Sequence, residues 1–249
     1  MFEINHQTVL VTGATSGIGQ QVAQDYAKKG WNVVACGRNQ AKLAELALKF
    51  PNIATLAFDI TNADACREAL SGLEPCPTLW VLNAGDCEYI DDGVMDAALF
   101  RRVITVNVIG LSNCIEAIQD QFTAGHRLAI VGSISSELAL PRAEAYGASK
   151  AAVKYLAHTL RMDLAAKQVH VSTIFPGFVE TPLTDKNNFA MPMIISVEQA
   201  SKSLIEGLSK GKSNLYFPRR FTSIIRLLGT LPYSWQHALI GRLLKQPKE

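Results

Sequence analysis

Thr8-Val-Leu-Val-Thr-Gly-Ala-Thr-Ser-Gly-Ile-Gly19 is the stretch that decides how this chain folds. Its first four residues form a short apolar run that leads directly into glycines, the pattern of a parallel strand buried on both faces. Gly13, Gly17 and Gly19 then fall at a strand-to-helix turn. There the backbone must approach a diphosphate closely, a Cβ would block that approach, and the helix N-terminus supplies N–H donors. Residues 20–29 carry a helical pattern closed by Gly30 in the C-cap position.

Working outward, short β-branched runs alternate with helical patterns. Further strands are read at 32–36, 53–58, 78–82, 127–131, 169–175 and 214–217, making seven in all. Repeated β-α-β units with right-handed crossovers imply an α/β fold, a Rossmann-type doubly wound parallel sheet with helices on both faces. Ser196-Val-Glu-Gln199 reads as a capping box that starts a late helix.

The 249 residues, 48% of them hydrophobic, fit one α/β domain with a large core. A net charge of +2 argues against a nucleic-acid surface, which needs clustered cations. The five cysteines (Cys36, Cys66, Cys76, Cys87, Cys114) form no CxxC pair. They read as reduced thiols of a cytoplasmic protein, with no metal site expected. The five histidines are scattered, and the N-terminus lacks the basic and apolar regions of a signal peptide. No apolar run is read as long enough to span a bilayer.

The second informative stretch is Ala145-Tyr-Gly-Ala-Ser-Lys-Ala-Ala, which sets Tyr146 and Lys150 four residues apart on one helix face. A phenol with a pKa near 10 is a poor base at neutral pH, and an ammonium one turn away favours its ionised form. Lowering that pKa by about 3 units needs roughly 4 kcal/mol. Such a phenol can give a proton to a carbonyl oxygen or take one from an alcohol. Ser133, just after the fifth strand, is placed to bind the same oxygen; Ser135 and Ser136 are nearby rivals. A glycine loop for a nucleotide, followed by this pair, points to hydride chemistry on a nicotinamide cofactor.

Thr12-Gly-x-x-x-Gly-x-Gly19, Asn83-Ala-Gly85, Asn107, Ser133, Tyr146-x-x-x-Lys150 and Pro176-Gly177 follow one another as in the short-chain dehydrogenase/reductase family, which the chain resembles over roughly residues 5 to 218. The resemblance implies a catalytic set of Asn107, Ser133, Tyr146 and Lys150. In it Lys150 also holds the nicotinamide ribose, and Asn107 positions a water that relays protons. It places the cofactor against Gly13, Thr15, Ser16, Gly17, Ile18 and Gly19, and against Asp59 and Ile60 at the adenine. Asn83, Ala84 and Gly85 follow at the fourth strand, then Pro176, Gly177, Val179 and Thr181 beside the nicotinamide and diphosphate. The second strand is followed by Gly37-Arg38 rather than by an acid. A carboxylate there would favour NAD, whereas the Arg38 guanidinium suits a 2′-phosphate, so NADP(H) is expected over NAD(H).

Loop residues Ile134, Leu138, Leu140 and Phe178, with Phe189, Met191, Met193 and Ile194 of a lid, suggest a small apolar carbonyl or alcohol substrate. A 3-oxoacyl thioester reductase is the alternative, although Met162 stands where such enzymes carry a basic residue. A non-catalytic NADP(H)-binding regulator is another, set against the complete Asn107, Ser133, Tyr146, Lys150 set. The family usually pairs the Tyr146 helix across two-fold axes, so a homodimer or homotetramer is expected. Residues 1–218 are read as the catalytic domain and 219–249 as its basic, amphipathic helical extension. This tail carries +5 against −3 for the remainder, and Gly229 and Pro232 divide it into two short helices. It is expected to pack beside the substrate entrance or between subunits, with peripheral membrane contact as the second reading.

Overall fold

β1 (Thr8–Thr12) is buried along its whole length, and its side chains alternate between two cores. Val9 and Val11 point into one, Leu10 into the other, as the two-residue period of a strand requires. The structure, a computed structural model, describes residues 7–91, 93–185 and 191–244, with 241–244 described by backbone alone. Phe189 of the expected lid and the tail cations Lys245 and Lys248 lie outside the described residues.

The other strands are β2 (Asn32–Gly37), β3 (Ile53–Ala57), β4 (Leu79–Leu82), β5 (Arg127–Val131), β6 (His170–Pro176) and β7 (Asn214–Phe217). They form one parallel sheet in the order β3-β2-β1-β4-β5-β6-β7. β4 and β5 repeat the alternation of β1. Leu79, Val81, Ala129 and Val131 join the first core; Trp80, Leu82, Leu128 and Ile130 join the second. The sheet is therefore apolar on both faces and must be covered twice. Helices α1 (Gly17–Lys28), α2 (Gln40–Lys49) and α7 (Val197–Ser209) cover the first face. Helices α3 (Ala63–Leu70), α5 (Gly110–Ile118) and α6 (Glu144–Asp163) cover the second. Ser196 and Gln199 form the capping box that starts α7. Strand order reverses beside β1, which pairs with β2 on one side and β4 on the other. The crevice at that reversal, outside the carboxyl ends of the strands, is where open α/β sheets take ligands.

α4 (Ala97–Ile104) runs into α5 through a π turn at Thr105–Ile109. By length and mean hydropathy (1.3) the continuous stretch Ala97–Gln121 would suffice to cross a bilayer, an apolar length the sequence reading missed. In this fold one side of it is packed against the rest of the domain. Val103, Leu111, Cys114 and Ile118 are buried, and the stretch packs against α3 and α6.

After β7 come α8 (Arg219–Gly229) and α9 (Tyr233–Leu244). The Phe221 ring of α8 lies 5.2 Å from that of Phe178. Gln236 of α9 donates to Leu231 O at 2.7 Å. α8 thus lies on β7 and on the turn that follows Ser133.

The glycine loop is closely packed at Gly19 on α1, where a Cβ would stand 2.4 Å from both Asn83 Nδ2 and Gly13 O. Backbone cannot retreat there as a side-chain tip could. Gly19→Ala is expected to destabilise the protein by about 1–3 kcal/mol, lowering Tm by several degrees. Calorimetry of the cofactor-free protein measures this, and an unchanged Tm would refute the packing argument.

Candidate active site

The ends of β1 and β4 are tied together by side chains. Thr12 Oγ1 accepts from the backbone N–H of Asn83 (3.0 Å) and of Ala84 (3.1 Å). Asn83 Nδ2 returns a bond to Thr12 O at 3.1 Å. Between them the loop turns through Gly13 and Gly17, at φ +68° and +54°. α1 begins with Ser16 at its N-cap, whose side chain makes no capping bond, and no acid stands in its first turn. The N-terminal donors and the positive end of the helix dipole are left to meet an anion.

In front of this turn lies a cleft of about 710 Å³, lined by Gly13, Thr15, Ser16, Gly17, Ile18, Arg38, Asp59, Ile60, Asn83, Ala84, Gly85 and Thr181, with Gly37 and Leu183 among others. Gly19 stands behind it, pressed on Asn83. Pro176, Gly177 and Val179 line an adjoining recess of about 110 Å³ together with Ser133, Tyr146 and Lys150. Ile18, Asn83, Gly85, Asp86, Thr181 and Leu183 border both spaces. Every cofactor residue expected from the sequence therefore lies in the cleft, in the recess, or directly behind them.

Asp59 is more constrained than its sequence context indicates. Its Oδ1 accepts from Thr61 N and Oγ1, both at 2.9 Å, and its Oδ2 lies 3.7 Å from the Arg38 guanidinium. Burial works to raise its pKa, but the two Thr61 bonds and Arg38 outweigh that and hold it below the usual carboxylate value. Arg38 thus faces a carboxylate across the rim of the cleft.

Lys150 is 5% exposed. Its ammonium donates to Val131 O at 3.0 Å and lies 5.8 Å from the centroid of the Tyr146 ring. Burial disfavours its charged form and pulls its pKa down to about 8, with the nearby Cys87 opposing. The Tyr146 phenol moves the other way. Burial, reinforced by Cys87, pushes it above its ordinary value, and the bond to Ser133 only partly offsets this. The expectation that Lys150 lowers the phenol's pKa does not hold in this state of the site. The ammonium is itself desolvated, and burial is the largest effect on both groups.

Asn107 lies in the π turn and is 2% exposed. Its Oδ1 accepts from Asp86 N at 2.8 Å, and its Nδ2 donates to Asp86 O (2.8 Å) and Ser149 Oγ (2.9 Å). Both amide hydrogens are spent bracing the loop after β4 against α6. Ser149 in turn donates to the Tyr146 carbonyl at 2.7 Å. The three serines separate clearly. Ser133 faces the recess and accepts from Ser135 N at 3.1 Å, while Ser136 Oγ donates back to Ser133 O at 2.7 Å.

Sequence reasoning missed Ser149, Asp86, Leu183 and the Val131 carbonyl. Ser149 and Asp86 adjoin the quoted motifs and could have been found there. A backbone carbonyl leaves no trace in a sequence. Ile134 and Leu138, expected in the substrate wall, are buried and line neither the cleft nor the recess.

A family model described as short chain dehydrogenase matches residues 7–191. The chain belongs to the short-chain dehydrogenase family. It is an oxidoreductase, an NAD(P)-dependent dehydrogenase/reductase by that membership. An uncharacterized oxidoreductase of Myxococcus xanthus is 32% identical over 98% of this chain and 100% of its own length. A serine 3-dehydrogenase of Rhizobium radiobacter is 33% identical over 71% of this chain and 74% of its own. Among solved structures, a short chain dehydrogenase from Burkholderia cenocepacia superposes with a TM-score of 0.84 at 25% identity, covering 99% of this chain and 100% of that one. The likeness to it and to the Myxococcus protein includes the region of α8 and α9, beyond the residues of the family model.

The buried ammonium of Lys150 sets its own titration. Between about pH 8 and 10.5 the unfolded chain keeps a proton on Lys150 that the folded chain has lost. This group therefore makes the fold more stable as pH rises through that window. Carbon-13 NMR of the Lys150 side chain, assigned with Lys150→Met, should show a midpoint near 8 in the cofactor-free protein. A midpoint at or above the ordinary lysine value of about 10.4 would contradict it.

Proposed function

We propose that this dehydrogenase is an NADPH-dependent carbonyl reductase, or the corresponding alcohol dehydrogenase, for a fairly apolar small substrate. The observation that carries the reading is the meeting of Ser133, Tyr146 and Lys150 in one recess that opens onto the glycine-loop cleft. The cleft fits a dinucleotide by its own features: the uncapped N-terminus of α1, the glycines at positive φ, and the lack of side-chain volume at Gly19. The Burkholderia neighbour was solved with NADP, and a serine dehydrogenase at TM-score 0.77 and 25% identity was solved in its closed form with NADP+. Both support the same choice of nucleotide.

When bound, the reduced nicotinamide supplies hydride to the carbonyl carbon. The chain's own residues do the rest. Ser133 and Tyr146 hydrogen-bond the carbonyl oxygen, and the Tyr146 hydroxyl gives it a proton as charge develops there. The raised pKa of the phenol keeps that proton in place until it is needed. Lys150, with a pKa of about 8, is largely cationic at neutral pH and offsets the phenolate charge. Asn107 and Ser149 keep the loop after β4 and α6 in register around the recess. Val179, Pro176 and Leu183 give the recess apolar walls.

A homodimer or homotetramer belongs to this reading. Along α6, Ala148, Ala151 and Ala152 lie exposed beside Tyr155 and Met162, and Ile109 is exposed on the π turn. Free buried thiols fit a cytoplasmic location. Residues 219–249 are taken as an extension of the same domain.

A screen of ketones, quinones and acyl thioesters with NADPH defines the substrate class. On the fastest substrate, Tyr146→Phe is expected to lower kcat by about 10²–10⁴-fold while leaving NADPH affinity nearly unchanged. Retention of full turnover where chemistry limits the rate would overturn the assignment. Arg38→Ala should weaken NADPH by about tenfold, an exposed guanidinium giving the lower end of a charged hydrogen bond, and leave NADH unaffected. Titration calorimetry with both nucleotides checks this, and equal affinities in the unmodified protein would remove the 2′-phosphate role.

A further inference from the structure

The turn that carries Ser133 ends four residues later in a carboxylate that the reaction does not use. The Glu137 side chain is 13% exposed, and both of its oxygens are engaged. Oε2 accepts from Lys154 Nζ at 2.7 Å and Oε1 from the Tyr216 hydroxyl at 3.1 Å. Lys154 stands one helical turn beyond Lys150 on α6, and Tyr216 belongs to β7. The Tyr216 ring is itself held on both sides. Phe175 stacks on it with centroids 4.5 Å apart and planes 8° from parallel, and the Arg226 guanidinium of α8 lies 4.2 Å from its centroid. The Glu137 main chain meets α8 again at Gly229, where a Cβ would fall 2.2 Å from the Glu137 carbonyl oxygen. Elements from three parts of the chain therefore close on this one residue.

Only a single 3-10 turn separates it from the recess. Ser136 N donates to Ser133 O at 3.2 Å and Glu137 N to Ile134 O at 3.0 Å. A turn this short has little slack, so a shift at Glu137 is passed to Ser133. A carboxylate this little exposed, held by a cation and a hydroxyl, is costly to leave half-satisfied, which makes it a firm anchor while its partners are present.

We propose that Glu137 is a positioning residue: clamped between Lys154 and Tyr216, it fixes the 133–137 turn and the direction of the Ser133 hydroxyl, and it makes that geometry depend on helix α8. What Ser133 then does to a substrate rests on the carbonyl-reductase reading; the clamp does not.

The test uses the full-length protein and follows amide hydrogen exchange over 133–138 without cofactor. Glu137→Ala is expected to speed exchange there by about tenfold or more and to leave β5 unchanged. Glu137→Gln, which keeps one oxygen to accept from Lys154 but turns its NH2 group toward Tyr216, should show a smaller rise than Glu137→Ala. If Glu137→Ala fails to fold, Tyr216→Phe, which loses one of the two bonds, carries the comparison with a smaller rise in the same segment. Unchanged exchange over 133–138, an equal rise across the whole sheet, or a Gln variant as impaired as Ala overturns the proposal. With para-nitrobenzaldehyde as probe, Glu137→Ala should also lose about tenfold in kcat/KM at unchanged NADPH affinity. If the parent protein reduced no carbonyl at all, the reductase reading would fall and the exchange measurement would still decide the clamp.

Discussion

The structure depends on the tie between the ends of β1 and β4. Thr12 and Asn83 exchange side-chain and backbone hydrogen bonds across the reversal of strand order, and Gly19 lets α1 close onto them. Without that tie the crevice would lose its floor, because both the glycine loop and the loop after β4 start from it. The polar groups involved would be costly to leave unpaired at a strand terminus removed from water. They are paired with each other, so the cleft keeps its shape before any ligand arrives.

From the same floor the loop after β4 leads to Asp86, Asn107 and Ser149, then to the Tyr146 carbonyl. This chain of bonds joins the nucleotide cleft to the helix that bears the reacting groups. Its members are neutral amides, hydroxyls and backbone, which fix geometry without adding charge. Beside it stands one buried ammonium, which leans on the Val131 carbonyl. An ammonium in such surroundings is destabilised relative to water, and it becomes useful when negative charge appears nearby.

The sheet and its seven strands were legible because buried parallel strands repeat one simple pattern, and β1, β4 and β5 show it plainly. Strand ends came within about one residue, as at β6, which begins at His170 rather than at Val169. The glycine loop and the Tyr146–Lys150 pair were legible because their chemistry restricts residue type. What the sequence did not reveal depends on packing. Whether the phenol's pKa falls or rises turns on how strongly packing desolvates it and Lys150. The Arg38–Asp59 approach joins residues from different strands, and nothing in either local stretch announces it.

The π turn at Thr105–Ile109 has a consequence for how this chain can vary. It holds one residue more than an α turn would, so α4 and α5 share an axis but not a phase. Removing a single residue there would restore a regular helix and rotate everything on one side of it by about 100°. Asn107 would swing out of the interior, or the faces of α5 buried on α3 and the sheet would turn to solvent. Substitutions along this helix can be absorbed one at a time, whereas its length is quantised: the count of residues between Ala97 and Ile118 is as much a part of the site as any side chain in it.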